Sequence, residues 1–82
     1  MFTVQILQCD GFWMGTGELV TFAQANEQAV SINEKYYTAT RVLNSDSYVP
    51  VSVLYVLPQF AEVAYPGPSC AAARDVLARF AA

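Results

Sequence analysis

Asp10-Gly11 stands between two short runs rich in apolar residues, and no other feature constrains the fold as strongly. An Asp-Gly pair flanked by alternating residues signals a β-hairpin, because both central positions of a type I′ turn need φ > 0. Upstream, Phe2, Val4 and Ile6 alternate with Thr3 and Gln5, the period of two expected of a strand with one face on a core. A two-residue turn predicts Cys9 opposite Phe12, Trp13 opposite Gln8, Gly15 opposite Ile6, Gly17 opposite Val4 and Leu19 opposite Phe2. Both glycines then fall on the core face, where a missing side chain lets a helix approach the sheet. A phosphate loop is the weaker reading of Gly15-Thr16-Gly17, since it needs a helix N-terminus directly behind it and usually a lysine. The opposite hairpin face carries Leu7, Cys9, Phe12, Met14 and Val20, and must be covered by the C-terminal segment or by a partner.

A helix follows. Thr21 and Gln24 have the spacing of a capping box, and Phe22, Ala25, Ala29, Ile32 and Tyr36 form one apolar stripe. Gln24, Glu27, Gln28, Ser31, Glu34 and Lys35 point away from it. Residues 38 to 43 are a β-branched run read as a third strand, ended by the polar turn cluster Asn44-Ser45-Asp46-Ser47. Residues 48 to 57 are the fourth and most apolar strand, with Val49, Val51, Val53, Tyr55 and Leu57 on one face and Leu54 and Val56 on the other. Such a strand is central in its sheet or lies at an interface. Residues 60 to 65 are expected to be extended, Pro66-Gly67-Pro68 to turn, and Ser69 to cap a last helix whose inner side is Ala73, Val76, Leu77 and Phe80. The whole chain, residues 1–82, is expected to form a single α+β domain in ββαββα order, with a four-stranded antiparallel sheet. The first helix is placed on the Trp13/Gly15/Gly17 face, and the second on the other face or at the edge.

Composition narrows the function. Apolar residues make up 55% of the chain and charged ones only 13%, against about 25% charged in ordinary globular proteins. Too few charges remain to coat the surface, and contiguous exposed apolar area marks interfaces. The formal charge is −3, from seven acids and four bases. A nucleic-acid binder needs a basic stripe, and a DNA mimic needs denser carboxylates, so direct nucleic-acid binding is not expected. Pro50, Pro58 and Glu62 interrupt the one strongly apolar stretch, leaving no membrane span of about 20 residues. The N-terminus lacks the pattern of a signal peptide. These features predict a soluble cytoplasmic protein with Cys9 and Cys70 reduced and buried.

Chemistry finds little to work with. The chain has no histidine, so neither cysteine can form a Cys-His pair, and the carboxylates have no short ligand-like spacing. Glu27 and Glu34 lie along one helix face about 10 Å apart, but a chain this small has no room for the sugar cleft that a carboxylate pair would serve. No catalytic residue, cofactor or metal is expected. Five tyrosines and one tryptophan exceed what so small a core needs, and both residue types favour binding hot spots. The candidate contact residues are Trp13, Glu27, Glu34, Tyr37, Leu54 and Tyr65.

The order hairpin, helix, hairpin, helix resembles that of small α+β proteins carried by phages and mobile elements. In size and in its acidic, motif-free surface the chain is similar to the anti-CRISPR inhibitors. That resemblance covers the element pattern only and implies a non-enzymatic protein that sterically occludes a nuclease or surveillance complex. A β-grasp domain is the rival fold, since ubiquitin-like domains also begin with a hairpin and a capped helix. The chain ends in a helix and lacks a Gly-Gly tail, which puts conjugation out of reach. The expected partner is another protein with a basic surface, which a net negative charge would attract. A homodimer or larger self-assembly through the fourth strand or the outer hairpin face is the alternative.

Overall fold

The computed structural model describes residues 1–54 and 61–81. Strand β1 (Phe2–Leu7), β2 (Trp13–Gly15), helix α1 (Phe22–Tyr36), β3 (Thr40–Asn44) and β4 (Pro50–Leu54) precede a short helix α2 (Ala61–Ala64), a 3-10 turn (Pro68–Cys70) and helix α3 (Ala71–Ala81). The sheet has four antiparallel strands in the order β2-β1-β3-β4, so the α+β architecture and the order of its main elements are as the sequence implies.

The hairpin forms, but its loop is one residue longer than a type I′ turn. Gly11 N–H donates to the Gln8 carbonyl (2.9 Å), Gln8 N–H donates to the Phe12 carbonyl (2.9 Å), and the Asp10 carboxylate accepts from Phe12 N–H (3.0 Å). Cys9-Asp10-Gly11 is therefore a three-residue loop with Gly11 at φ +85°, the geometry in which a turn is followed by a glycine bulge. The extra residue shifts the pairing to Leu7 opposite Trp13, Ile6 opposite Met14 and Gln5 opposite Gly15. A shift of one moves every side chain of the second strand to the other face. Trp13 thus lies on the sheet face away from α1, which overturns the expected placement of that helix. Gly15 and Gly17 are both exposed, and neither admits a helix; Gly17, at φ +86°, serves a turn instead.

Helix α1 starts as its sequence dictates. Thr21 accepts from Gln24 N–H (3.3 Å), and the Gln24 side chain accepts from Thr21 N–H (3.2 Å). The stripe buries only its small members: Ala25 and Ala29 are buried against Val4 and Val42, with Phe2, Val20 and Ile32 around them. Thr40 Oγ1 donates to the Ala29 carbonyl at 3.0 Å and pins the helix to β3. At the ends of the stripe Phe22 and Tyr36 are exposed, and Phe22 meets Phe2 edge-on with ring centroids 5.3 Å apart.

A second core occupies the opposite sheet face. Leu7, Ala39, Tyr65, Cys70, Ala73 and Leu77 are buried together, with Cys9 and Trp13 packed against them. The C-terminal segment therefore covers Leu7 and Cys9 of the outer hairpin face, while Phe12 and Met14 stay exposed. Four expectations are corrected here. Tyr65, a candidate contact residue, is 2% exposed; its hydroxyl donates to the Leu7 carbonyl (2.7 Å) and accepts from Ala39 N–H (3.0 Å). Cys9 and Cys70, expected to be reduced, form a disulfide across 61 positions. The last helix is not capped by Ser69: it grows out of the 3-10 turn, whose N-cap is Gly67 and whose first residue is Pro68, a residue pre-set for a helical start. Residues 61 to 64 are helical where an extended piece was expected. The fourth strand is described over Pro50–Leu54, and the part predicted for residues 55 to 57 lies outside the described residues.

Strand β4 is at the sheet edge. The pairing of Val42 with Ser52 and of Leu43 with Pro50 makes Val51 the extra residue of a bulge. Pro50, at the first position of an edge strand, is where a strand tolerates proline. The turn before it is closed by Asn44 Oδ1, which accepts from Asp46 N–H (2.9 Å) and Ser47 N–H (3.3 Å).

Candidate functional site

The segment between β2 and α1 runs beside the outer side of the helix, and the two enclose an open groove of about 460 Å³ lined by Thr16, Glu18, Glu27, Gln28, Ser31 and Ile32. Local structure sets each side of it. Gly17 turns the chain with a backbone that L side chains rarely adopt, and Glu18 N–H donates to Thr16 Oγ1 (3.5 Å). On the helix, Ser31 follows Glu27 by four residues and Ile32 follows Gln28 by four, so the pairs stack on one face. Gln28 Nε2 donates to Glu18 Oε2 at 3.4 Å and ties the two walls together. The Glu27 carboxylate makes no hydrogen bond or ion pair among the described residues. Two carboxylates, an amide and two hydroxyls with the apolar Ile32 among them suit a cationic group with an apolar stem, the shape of an arginine or lysine side chain.

The sequence candidates scatter around this groove. Glu27 lines it, and Glu34 is exposed on the same helix, two turns further along. Tyr37 terminates α1 in a left-handed conformation (φ 56°) and is half exposed. Trp13 sits on the other side of the sheet, where the Arg41 guanidinium carbon lies 4.4 Å from its ring centroid and Arg41 Nε donates to Gln5 Oε1 (2.6 Å). That stacked arginine is partly desolvated, which lowers its pKa from the usual range. Leu54 pairs through its backbone with Thr40 at the end of β4. Tyr65 is interior. Sequence reasoning missed Glu18 and Thr16, and no local signal marks them, because only the path of the chain back toward α1 brings them beside Glu27.

Comparison of the chain with protein families, curated proteins and solved structures finds nothing that matches. The groove is thus read from its chemistry alone. Among the described residues no group of three or more metal-ligating side chains converges, and no helix is long and apolar enough to cross a membrane.

A separate surface lies along the turn into β4. Tyr48 is 76% exposed, and Val49 and Val51 are about half exposed. No charged residue stands between Ser47 and Leu54, so this edge lacks the charge with which most exposed strands discourage pairing.

Proposed function

We propose that the chain is a non-catalytic protein-binding module whose acidic groove receives a basic side chain of a partner protein. The observation that carries this reading is the meeting of Glu18 and Glu27 in one groove with no base between them. A basic surface on the partner complements the chain's charge of −3 and speeds encounter. Nucleases and other nucleic-acid-handling complexes present such surfaces, because they must neutralise phosphates. Steric occlusion of one of them, in the manner of an anti-CRISPR inhibitor, is the narrower form of the proposal, supported by size, acidity and element order. The test is calorimetric titration with an arginine-rich peptide. Glu18→Lys/Glu27→Lys should weaken binding roughly tenfold or more, the equivalent of about 1.4 kcal/mol, and the difference should shrink at about 0.5 M salt. Equal binding by wild type and variant would remove the groove from the interface.

Self-assembly is the second reading, favoured by the uncharged edge of β4 with Tyr48, Val49 and Val51 exposed. Edge-to-edge pairing would bury these residues. Light scattering after size exclusion should then give more than the 9.0 kDa of one chain, with Val51→Lys returning the mass to the monomer. A monomer at every concentration would discard this reading.

For the compartment, the Cys9–Cys70 bond favours an oxidising one, because the cytoplasm keeps most protein thiols reduced. The cytoplasmic placement drawn from the sequence then requires this bond to form and break as a controlled event.

A further inference from the structure

The two apolar cores are separate, and the disulfide belongs to only one of them. Among the described residues the core around Val4, Ala25, Ala29 and Val42, which joins α1 to the sheet, includes none from residue 61 onward. The second core depends on the C-terminal segment, which among the described residues meets the hairpin loop through three links at Cys70 and the start of α3. These are the Cys9–Cys70 bond, a 3.3 Å hydrogen bond from Ala73 N–H to the Cys9 carbonyl, and Ala72, which lies so close that a Cβ on Gly11 would stand 3.2 Å from its own. All three converge on residues 9 to 11. We propose that Cys9–Cys70 is a reducible clasp: a dithiol reductant opens it, and α3 undocks from a ββαββ unit that stays folded.

The chemistry balances as ordinary thiol–disulfide exchange. A thiolate of the reductant attacks Cys9 Sγ, because Cys9 is half-buried whereas Cys70 is only 2% exposed. A mixed disulfide forms at Cys9, and the Cys70 sulfur leaves as a thiolate that then takes a proton from water. The second thiolate of the reductant attacks its own bonded sulfur, closes the reductant's disulfide and frees Cys9, which is protonated in turn. Two electrons pass from the dithiol to the protein. Cys70 directly precedes the 11-residue helix α3, whose N-terminal dipole favours a thiolate, and a better leaving group leaves faster.

Opening has a defined surface as its product. Leu7 and Ala39 are buried in the oxidised protein, and the Trp13 ring packs beside them with Arg41 stacked on it. Undocking α3 lifts Ala73 and Leu77 off this patch and turns the part they cover outward as an apolar surface bordered by one cation, beside Tyr65. It lies on the sheet face away from α1 and from the groove, so the clasp and the groove stand or fall independently.

The test is amide exchange by NMR on the full chain, air-oxidised and then treated with dithiothreitol, together with thiol titration. No free thiol is expected before reduction and two after. Amides of residues 71 to 77 should lose protection roughly 100-fold, whereas those of Val4, Ala29 and Val42 should change by no more than about threefold, and Trp13 fluorescence should shift to the red. Cys70→Ser should show the same pattern without reductant. Loss of protection throughout the sheet would make the bond a staple of the entire fold, and retained protection in α3 would make it dispensable; either result overturns the clasp. So would two free thiols in the air-oxidised protein.

Discussion

Tyr65→Phe is expected to lower the free energy of unfolding by about 2–4 kcal/mol, because it removes one oxygen and strands two buried backbone groups. The hydroxyl sits where the β1–β3 ladder ends. It donates to the Leu7 carbonyl and accepts from Ala39 N–H, so it supplies the pairing that the strands no longer make. Urea denaturation reads the loss directly, and a change below about 0.5 kcal/mol would show that water replaces the oxygen. A pH dependence accompanies it. Burial raises the Tyr65 phenol above its ordinary value of 10.0, opposed by the smaller effect of the Ala39 hydrogen bond. Below about pH 10 both folded and unfolded chains hold this proton, and stability is intact. Above it the unfolded chain loses the proton first, so stability falls as pH rises toward the folded-state value. Tyr65→Phe should remove that part of the alkaline decline; an unaltered alkaline profile in the variant would refute the assignment.

Ala29→Leu should destabilise the α1 side by about 1–3 kcal/mol through overpacking. Ala29 and Ala25 are at most 1% exposed and face Val4 and Val42, which are fully buried. The helix cannot easily back away, because its Ala29 carbonyl is held by Thr40 Oγ1. Ala23→Leu, at an exposed position of the same helix, is the control and should change stability by less than about 0.5 kcal/mol. Thermal unfolding of the two variants side by side decides the matter. Equal stability would mean that the helix rides on the sheet more loosely than its alanines imply.

The two sides of the sheet were unequally legible in the sequence. The Thr21/Gln24 box and the run of Ala25, Ala29 and Ile32 carry their own geometry, since capping and helical period depend on neighbours three and four residues away. The hairpin was legible as a hairpin, but Asp10-Gly11 serves a three-residue loop as well as a two-residue one. That single ambiguity inverts Trp13 and Gly15, whereas α1 packs on the Phe2/Val4 side of β1 that the alternation marks. Tyr65 looked like a surface residue because its partners, Leu7 and Ala39, are 58 and 26 residues away. The disulfide was hidden for the same reason. In the groove, Glu27 was legible from helix periodicity, whereas Glu18 reaches it only through the turn at Gly17.

The strand order β2-β1-β3-β4 also limits what the molecule could build. One border of the sheet is the three-residue β2, too short to template a long neighbour. The other is β4, whose described residues Pro50–Leu54 carry no charge. A sheet with a single usable border can add one neighbour and no more. If two copies met there about a two-fold axis, each would consume the other's only open side, and growth would close at a pair instead of running on into a filament.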